Sequence, residues 1–226
     1  MKSKNTKVKG KQNRQRRRTS VTRQKLLDAA RVVFAEKGMD LTRIDEISER
    51  ADVGKGTFYY HFKGKPQIIK ELIKIILGEL MAVIEEKCRN ASDIQSLLHN
   101  LIGAHIGFFS NRWEDFVFYF QSRSDLILQE GYSGIETPFV EYLECIEDLL
   151  ESVIKYRLSQ PALRRIACAI TGFVSGYYSF ATIESQDESV DEVFASLQSA
   201  MVAGMSRFIQ ETMPSTESVG SPPKNI

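Results

Sequence analysis

The sequence predicts an all-α protein of about nine helices, and three observations predict it. Apolar residues recur at three- and four-residue spacing from Thr22 onward. No alternating run bounded by turn residues marks a strand. Gly38 and Pro66 stand where a helix should end and where one should begin.

Residues 1–20 carry nine basic side chains, no acid and one aliphatic residue of note, Val8. Such a segment buries too little apolar area to offset its ordering entropy, so a disordered basic arm is expected there. It would cling to DNA phosphates, enter a minor groove, or simply keep the chain in solution. From Thr22 the pattern changes. Leu26, Leu27, Ala30, Val33 and Phe34 form one stripe, and Gly38 is the expected C-cap. Thr42 with Asp45 resembles a capping box, after which Ile44, Ile47 and Ala51 mark the buried face of a brief second helix. The turn Ala51-Asp52-Val53-Gly54 follows, with Asp52 able to take a left-handed backbone. A third helix is predicted from about Lys55 to His61, and Lys65-Pro66 opens a fourth. Further helices are expected over residues 66–88, 93–109, 112–130, 137–157, 161–183 and 189–211, with a disordered Ser- and Pro-rich tail from 213 to 226.

Charge divides the chain. Residues 1–65 hold 18 Lys and Arg against 7 Asp and Glu, whereas residues 66–226 hold 12 against 22. A basic module suits a polyanion, because each neutralised phosphate releases condensed counterion. The three cysteines, Cys88, Cys145 and Cys168, lack the close spacing of a zinc ribbon or redox motif and are expected as reduced thiols in a cytoplasm. No apolar stretch has the length of a membrane span, and residues 1–20 have no apolar core of a signal peptide. No nucleophile elbow, phosphate-binding glycine loop or helical His-x-x-x-His pair supports an enzyme, and neither cofactor nor metal is implied.

Two short helices joined by a tight turn, the second presenting polar and basic residues, is the helix-turn-helix layout. The string VGKGTFYYHFKGK from Val53 to Lys65, preceded by LLDAARVVFAEKG and LTRIDEISERAD, resembles the DNA-binding domain of the tetracycline-repressor (TetR) family over roughly residues 23–70. Asp52 stands where that family usually has glycine, Gly54 where a small capping residue is common, and Ser48 where alanine is frequent. Gly56 has no side chain to hold the backbone away from base edges. Lys55 can meet guanine O6 and N7, and Thr57 a thymine methyl. The resemblance implies that Lys55, Gly56 and Tyr59 approach bases, while Thr42, Tyr60, His61 and Lys65 meet phosphate; Arg43 completes the expected DNA-facing set. Phe58 and Phe62, four apart, are expected in the core.

Residues 105–132 are rich in aromatic side chains. The resemblance implies a cavity for a small-molecule inducer among helices 4 to 8, and an apolar or aromatic ligand would suit His105, Phe108, Phe109, Trp113, Phe116, Tyr119, Phe120, Arg123 and Tyr177. Any single one of them is better explained as plain core, but as a set they exceed what a core needs. Small residues over 161–183 permit close helix approach, and the resemblance implies a four-helix homodimer interface holding Ala169, Gly172, Phe173, Gly176, Phe180, Val193, Leu197, Met201 and Phe208.

The expected division is a basic arm (1–20), a helix-turn-helix DNA-binding domain (21–65), a helical ligand-binding and dimerisation domain (66–212) and a tail (213–226). The expected function is a regulator, chiefly a repressor, on double-stranded DNA with a palindromic operator. A non-specific architectural DNA binder and, less well supported, a helical enzyme are the alternatives.

Overall fold

A computed structural model describes residues 3–110, 112–125, 136–154, 158–184 and 190–211, with side chains described from Gln15 onward except those of 123–125, 177–184, 190–197 and Gln210. Among the described residues there are nine helices and no strand: α1 (Ser3–Lys37), α2 (Ile44–Arg50), α3 (Lys55–His61), α4 (Lys65–Cys88), α5 (Ile94–Phe109), α6 (Trp113–Asp125), α7 (Glu136–Val153), α8 (Gln160–Glu184) and α9 (Val190–Glu211). They form two compact units, Met1–Val83 with Ile106–Tyr142 and Ile84–His105 with Leu143–Ile226. The boundary expected between residues 65 and 66 falls inside the first unit.

In the first unit, the stripe Leu26, Leu27, Ala30, Val33 and Phe34 is buried as the spacing predicts. Phe34 stacks on Phe118 of α6 with ring centroids 5.4 Å apart. Truncating a buried phenylalanine such as this costs about 3–5 kcal/mol. α1 stops at Gly38, whose φ of +80° is open to glycine and whose N–H donates to Phe34 O at 2.8 Å. Asp52 takes φ +55° and turns the chain between α2 and α3. Phe58 and Phe62 are both buried and pack on each other at 5.7 Å, fixing one face of α3 inward.

In the second unit, Leu97, Leu98, Leu101 and Ile102 of α5, Ile146 and Leu150 of α7, and Leu163, Ile166, Ala167, Ile170 and Val174 of α8 are buried. Arg164 of α8 pairs with the buried Glu147 of α7, and this hydrogen bond raises the guanidinium pKa further. Asp93 starts α5 by accepting the Ser96 N–H at 2.9 Å, a bond that holds its carboxyl below the usual range. Burial pushes the Cys88 and Cys145 thiols up to about 11.

Two local expectations are corrected. α1 begins at Ser3 rather than near Thr22, so residues 3–20 are helix and not a disordered arm. The segment contains no proline, and Lys, Arg and Gln propagate a helix well once packed residues have nucleated it. The cap of α2 is Arg43, one residue beyond Thr42, and its N–H donates to Glu46 Oε2 at 2.9 Å. Glu46 has the reach that Asp45 lacks. The tail over 213–226 lies outside the described residues.

Candidate DNA interface

α3 shows two faces. Phe58 and Phe62 point into the first unit, while Lys55, Gly56, Tyr59 and Tyr60 are exposed, Tyr60 by 74%. Thr57 and His61 are half-buried between them. A Cβ built on Gly56 would meet nothing within 4 Å, so glycine is not demanded by packing at this position. Burial, and secondarily the Arg23 charge, lower the His61 pKa below its usual value, so the imidazole is neutral at pH 7. The ring packs edge-on against Tyr60 at 5.0 Å.

Lys55 is already engaged. Its Nζ lies 2.8 Å from Asp45 Oδ1 of α2, and that contact raises its pKa. The pair ties the two helices of the motif together at the expected DNA-facing edge. Arg43 is exposed beside it, 3.7 Å from Asp45 Oδ2. Asp45 is a functional candidate that sequence reasoning missed, because an acid ten residues before a lysine carries no local spacing signal.

Thr42 and Lys65, expected to meet phosphate, bond backbone carbonyls of the chain itself. Thr42 is 3% exposed, and its hydroxyl donates to Gly38 O at 2.6 Å. Lys65 Nζ donates to Met39 O at 2.6 Å, Asp40 O at 3.0 Å and Thr42 O at 3.3 Å. The two side chains therefore hold the loop between α1 and α2, which sets the entry of the motif. Thr42 is buried and Lys65 half-buried, and both supply donors that the loop's carbonyls need.

Within the first unit, the aromatic residues expected to line a ligand cavity form a contiguous network. Phe109 lies 5.5 Å from both Phe116 and Tyr119, Phe108 stands edge-on to Phe109 at 5.0 Å, and Trp113 and Phe120 flank Phe116 at 5.8 and 6.1 Å. Tyr119 continues the network to Phe139 and Tyr142. Trp113 and Phe120 are exposed at its edge. His105, in the second unit, is buried, and its Nδ1 donates to Leu101 O at 2.7 Å, while burial lowers its pKa to about 4. The side chains of Arg123 and Tyr177 lie outside the described residues.

In the second unit, α8 exposes Cys168, Ala169 and Gly172 opposite its buried face, with Phe173 and Gly176 half-buried. A Cβ on Gly172, Gly176 or Gly204 would meet nothing within 4 Å. On α9, Met201 is half-buried and Phe208 is 54% exposed. The side chains of Phe180, Val193 and Leu197 lie outside the described residues. Among the described residues no helix is long and apolar enough to cross a membrane, and no group of three His, Cys, Asp or Glu is placed to hold a metal ion.

Residues 26–72 match the family model described as bacterial regulatory proteins, tetR family. The chain is 30% identical over 185 residues to the transposon Tn10 TetC protein of Escherichia coli, covering 79% of this chain and 75% of that one. A TetR-family transcriptional regulator from Agrobacterium tumefaciens shares the fold with a TM-score of 0.65 at 18% identity, over 82% of this chain and 98% of that one. The FadR regulator of Bacillus subtilis, solved in complex with stearoyl-CoA, does so with a TM-score of 0.59 at 19% identity, over 84% of this chain and 99% of that one. The matched segment spans the motif built around α2 and α3, and the likeness to TetC runs well beyond it: the chain belongs to the tetR family of bacterial regulatory proteins and is a transcription regulator with a helix-turn-helix DNA-binding domain.

Proposed function

We propose that this protein is a cytoplasmic repressor that binds a palindromic operator as a homodimer and leaves it when a small apolar or aromatic molecule binds. The observation that carries the reading is the division of α3, with Phe58 and Phe62 buried and Lys55, Gly56, Tyr59 and Tyr60 open to solvent. Placed in a major groove, Lys55, Gly56, Thr57 and Tyr59 meet base edges, and Arg43, Tyr60 and neutral His61 donate to the sugar-phosphate backbone. Thr42 and Lys65 act one step back, by fixing the loop that feeds α2.

The small-residue face of α8, with Phe208 on α9, supports a two-fold dimer, because close backbone approach needs such residues. A dimer presents two α3 helices and so reads two half-sites. The aromatic network around Phe109 and the stearoyl-CoA found in the FadR relative both favour an apolar ligand.

Selection of bound duplexes from a random pool by the purified full chain tests the reading. Enrichment of a palindrome with half-sites about one helical turn apart is expected, with sedimentation giving a dimer. Recovery of no preferred sequence would leave a non-specific binder and overturn it. Long-chain acyl-CoA and other apolar candidates are then screened for a rise in melting temperature and release of the selected duplex.

A further inference from the structure

The helical course of residues 3–20 places a second basic surface beside α3. Arg16, Thr19, Ser20 and Arg23 stand at intervals of three, one and three residues and therefore share one face of α1. With Gln15 and Tyr60 they line a cleft of about 520 Å³ between α1 and α3. No carboxylate lines it. Arg23 is held in place at its edge, with its guanidinium 4.9 Å from the centre of the Phe62 ring and 3.1 Å from Glu71 Oε1. Arg16 is exposed and has no ion-pair partner among the described residues. The Thr19 hydroxyl donates to Gln15 O at 3.0 Å, which leaves Arg16, Ser20 and the Tyr60 phenol as the donors that an anion would meet.

We infer that this cleft holds a backbone phosphate of the bound duplex, separate from the base contacts of α3. The inference rests on the reading of α3 as the DNA-contacting helix and extends the protein's footprint along one strand. One uncompensated cation, Arg16, with the Ser20 and Tyr60 hydroxyls, and with Arg23 at the edge already paired to Glu71, matches the chemistry of a phosphate diester, which accepts hydrogen bonds and carries one charge. Tyr60 belongs to both surfaces, so a phosphate in the cleft also fixes the height at which α3 sits in its groove.

Sequence-independent binding of the full chain to a random-sequence duplex of about 30 base pairs, measured across a salt series, tests this without knowledge of the operator. Arg16→Gln is expected to make the slope of log K against log salt shallower by about one and to weaken binding severalfold at moderate salt. Tyr60→Phe is expected to weaken binding with little change of slope. Arg207→Gln on α9 removes the same charge elsewhere and is expected to leave the slope unchanged. An unchanged slope for Arg16→Gln, or an equal loss for Arg207→Gln, would overturn the inference while leaving the α3 reading intact. Failure of the unaltered chain to bind any duplex would instead overturn that reading. Titration with inorganic phosphate separates the two sources of the anion. Saturable binding that Arg16→Gln abolishes, with the duplex slope unmoved, would assign the cleft to a free anion.

Discussion

Arg31 Nε of α1 lies 2.8 Å from Asp115 Oδ1 of α6, and Asp115 is 2% exposed whereas Arg31 is 26% exposed. The guanidinium N–H does not point along that line, so the contact is Coulombic and not a hydrogen bond. Burial raises the Asp115 pKa despite the opposing pull of Arg31 and Arg112. The desolvation of the carboxylate therefore outweighs its pairing.

The pair should respond unequally to substitution. Arg31→Met strands a buried carboxylate with only Arg112, 3.6 Å away, and is expected to cost about 2–3 kcal/mol. Asp115→Asn leaves an arginine that reaches water and is expected to cost about 1 kcal/mol or less. Urea denaturation of the two variants compares them, and equal losses would contradict this account.

His105 makes stability fall in acid. Its pKa is lowered from 6.5 to about 4 by complete burial, so between those values the unfolded chain takes up a proton that the folded chain refuses. Stability from this group is complete above pH 6.5 and is lost as pH falls toward 4, by roughly 3 kcal/mol in all. His105→Gln, which retains a donor for Leu101 O, should flatten that decline. Denaturant midpoints from pH 7.5 to 4.5 at fixed protein concentration provide the check.

Gly56 separates stability from recognition. Alanine fits the open space around it and favours helix by up to about 1 kcal/mol, so Gly56→Ala should melt no lower than the parent. Its added methyl stands where α3 would approach the bases, and affinity for a selected duplex should drop tenfold or more. Unchanged affinity would place the base contacts on another part of the surface.

Lys65→Met removes the donor shared by three carbonyls of the loop between α1 and α2. A loss of about 1–2 kcal/mol is expected, because those oxygens recover water only in part. Thermal melting reads the loss. A variant as stable as the parent would return Lys65 to the role of a free phosphate ligand.

Most of the fold was legible from periodicity and punctuation. α3 runs from Lys55 to His61 as expected, Gly38 caps α1, and Asp52 adopts the left-handed turn. The start of α1 was not legible, because Lys2 to Arg18 shows no apolar stripe and its helix depends on nucleation by residues further along. The exposure of Lys55, Tyr59 and Tyr60 could be anticipated from their spacing against Phe58 and Phe62. The bonds of Thr42 and Lys65 to loop carbonyls could not, since those carbonyls are brought together only when α1 and α4 meet the loop. The ion pairs of Asp45 and Asp115 were not legible for the same reason: each finds its cation on another helix.

The unbroken course of α1 turns a small event into a larger one. From Phe34, where it rests on Phe118, to Arg16 the helix rises roughly 27 Å. A swing of about 5° about that pivot would carry the arginine sideways by roughly 2 Å, comparable with the tolerance of a hydrogen bond to a fixed oxygen. On the proposed reading, a molecule that shifted α6 by a comparable amount would act through a lever, and the hold on a phosphate would depend on the straightness of one rod as well as on the side chains along it.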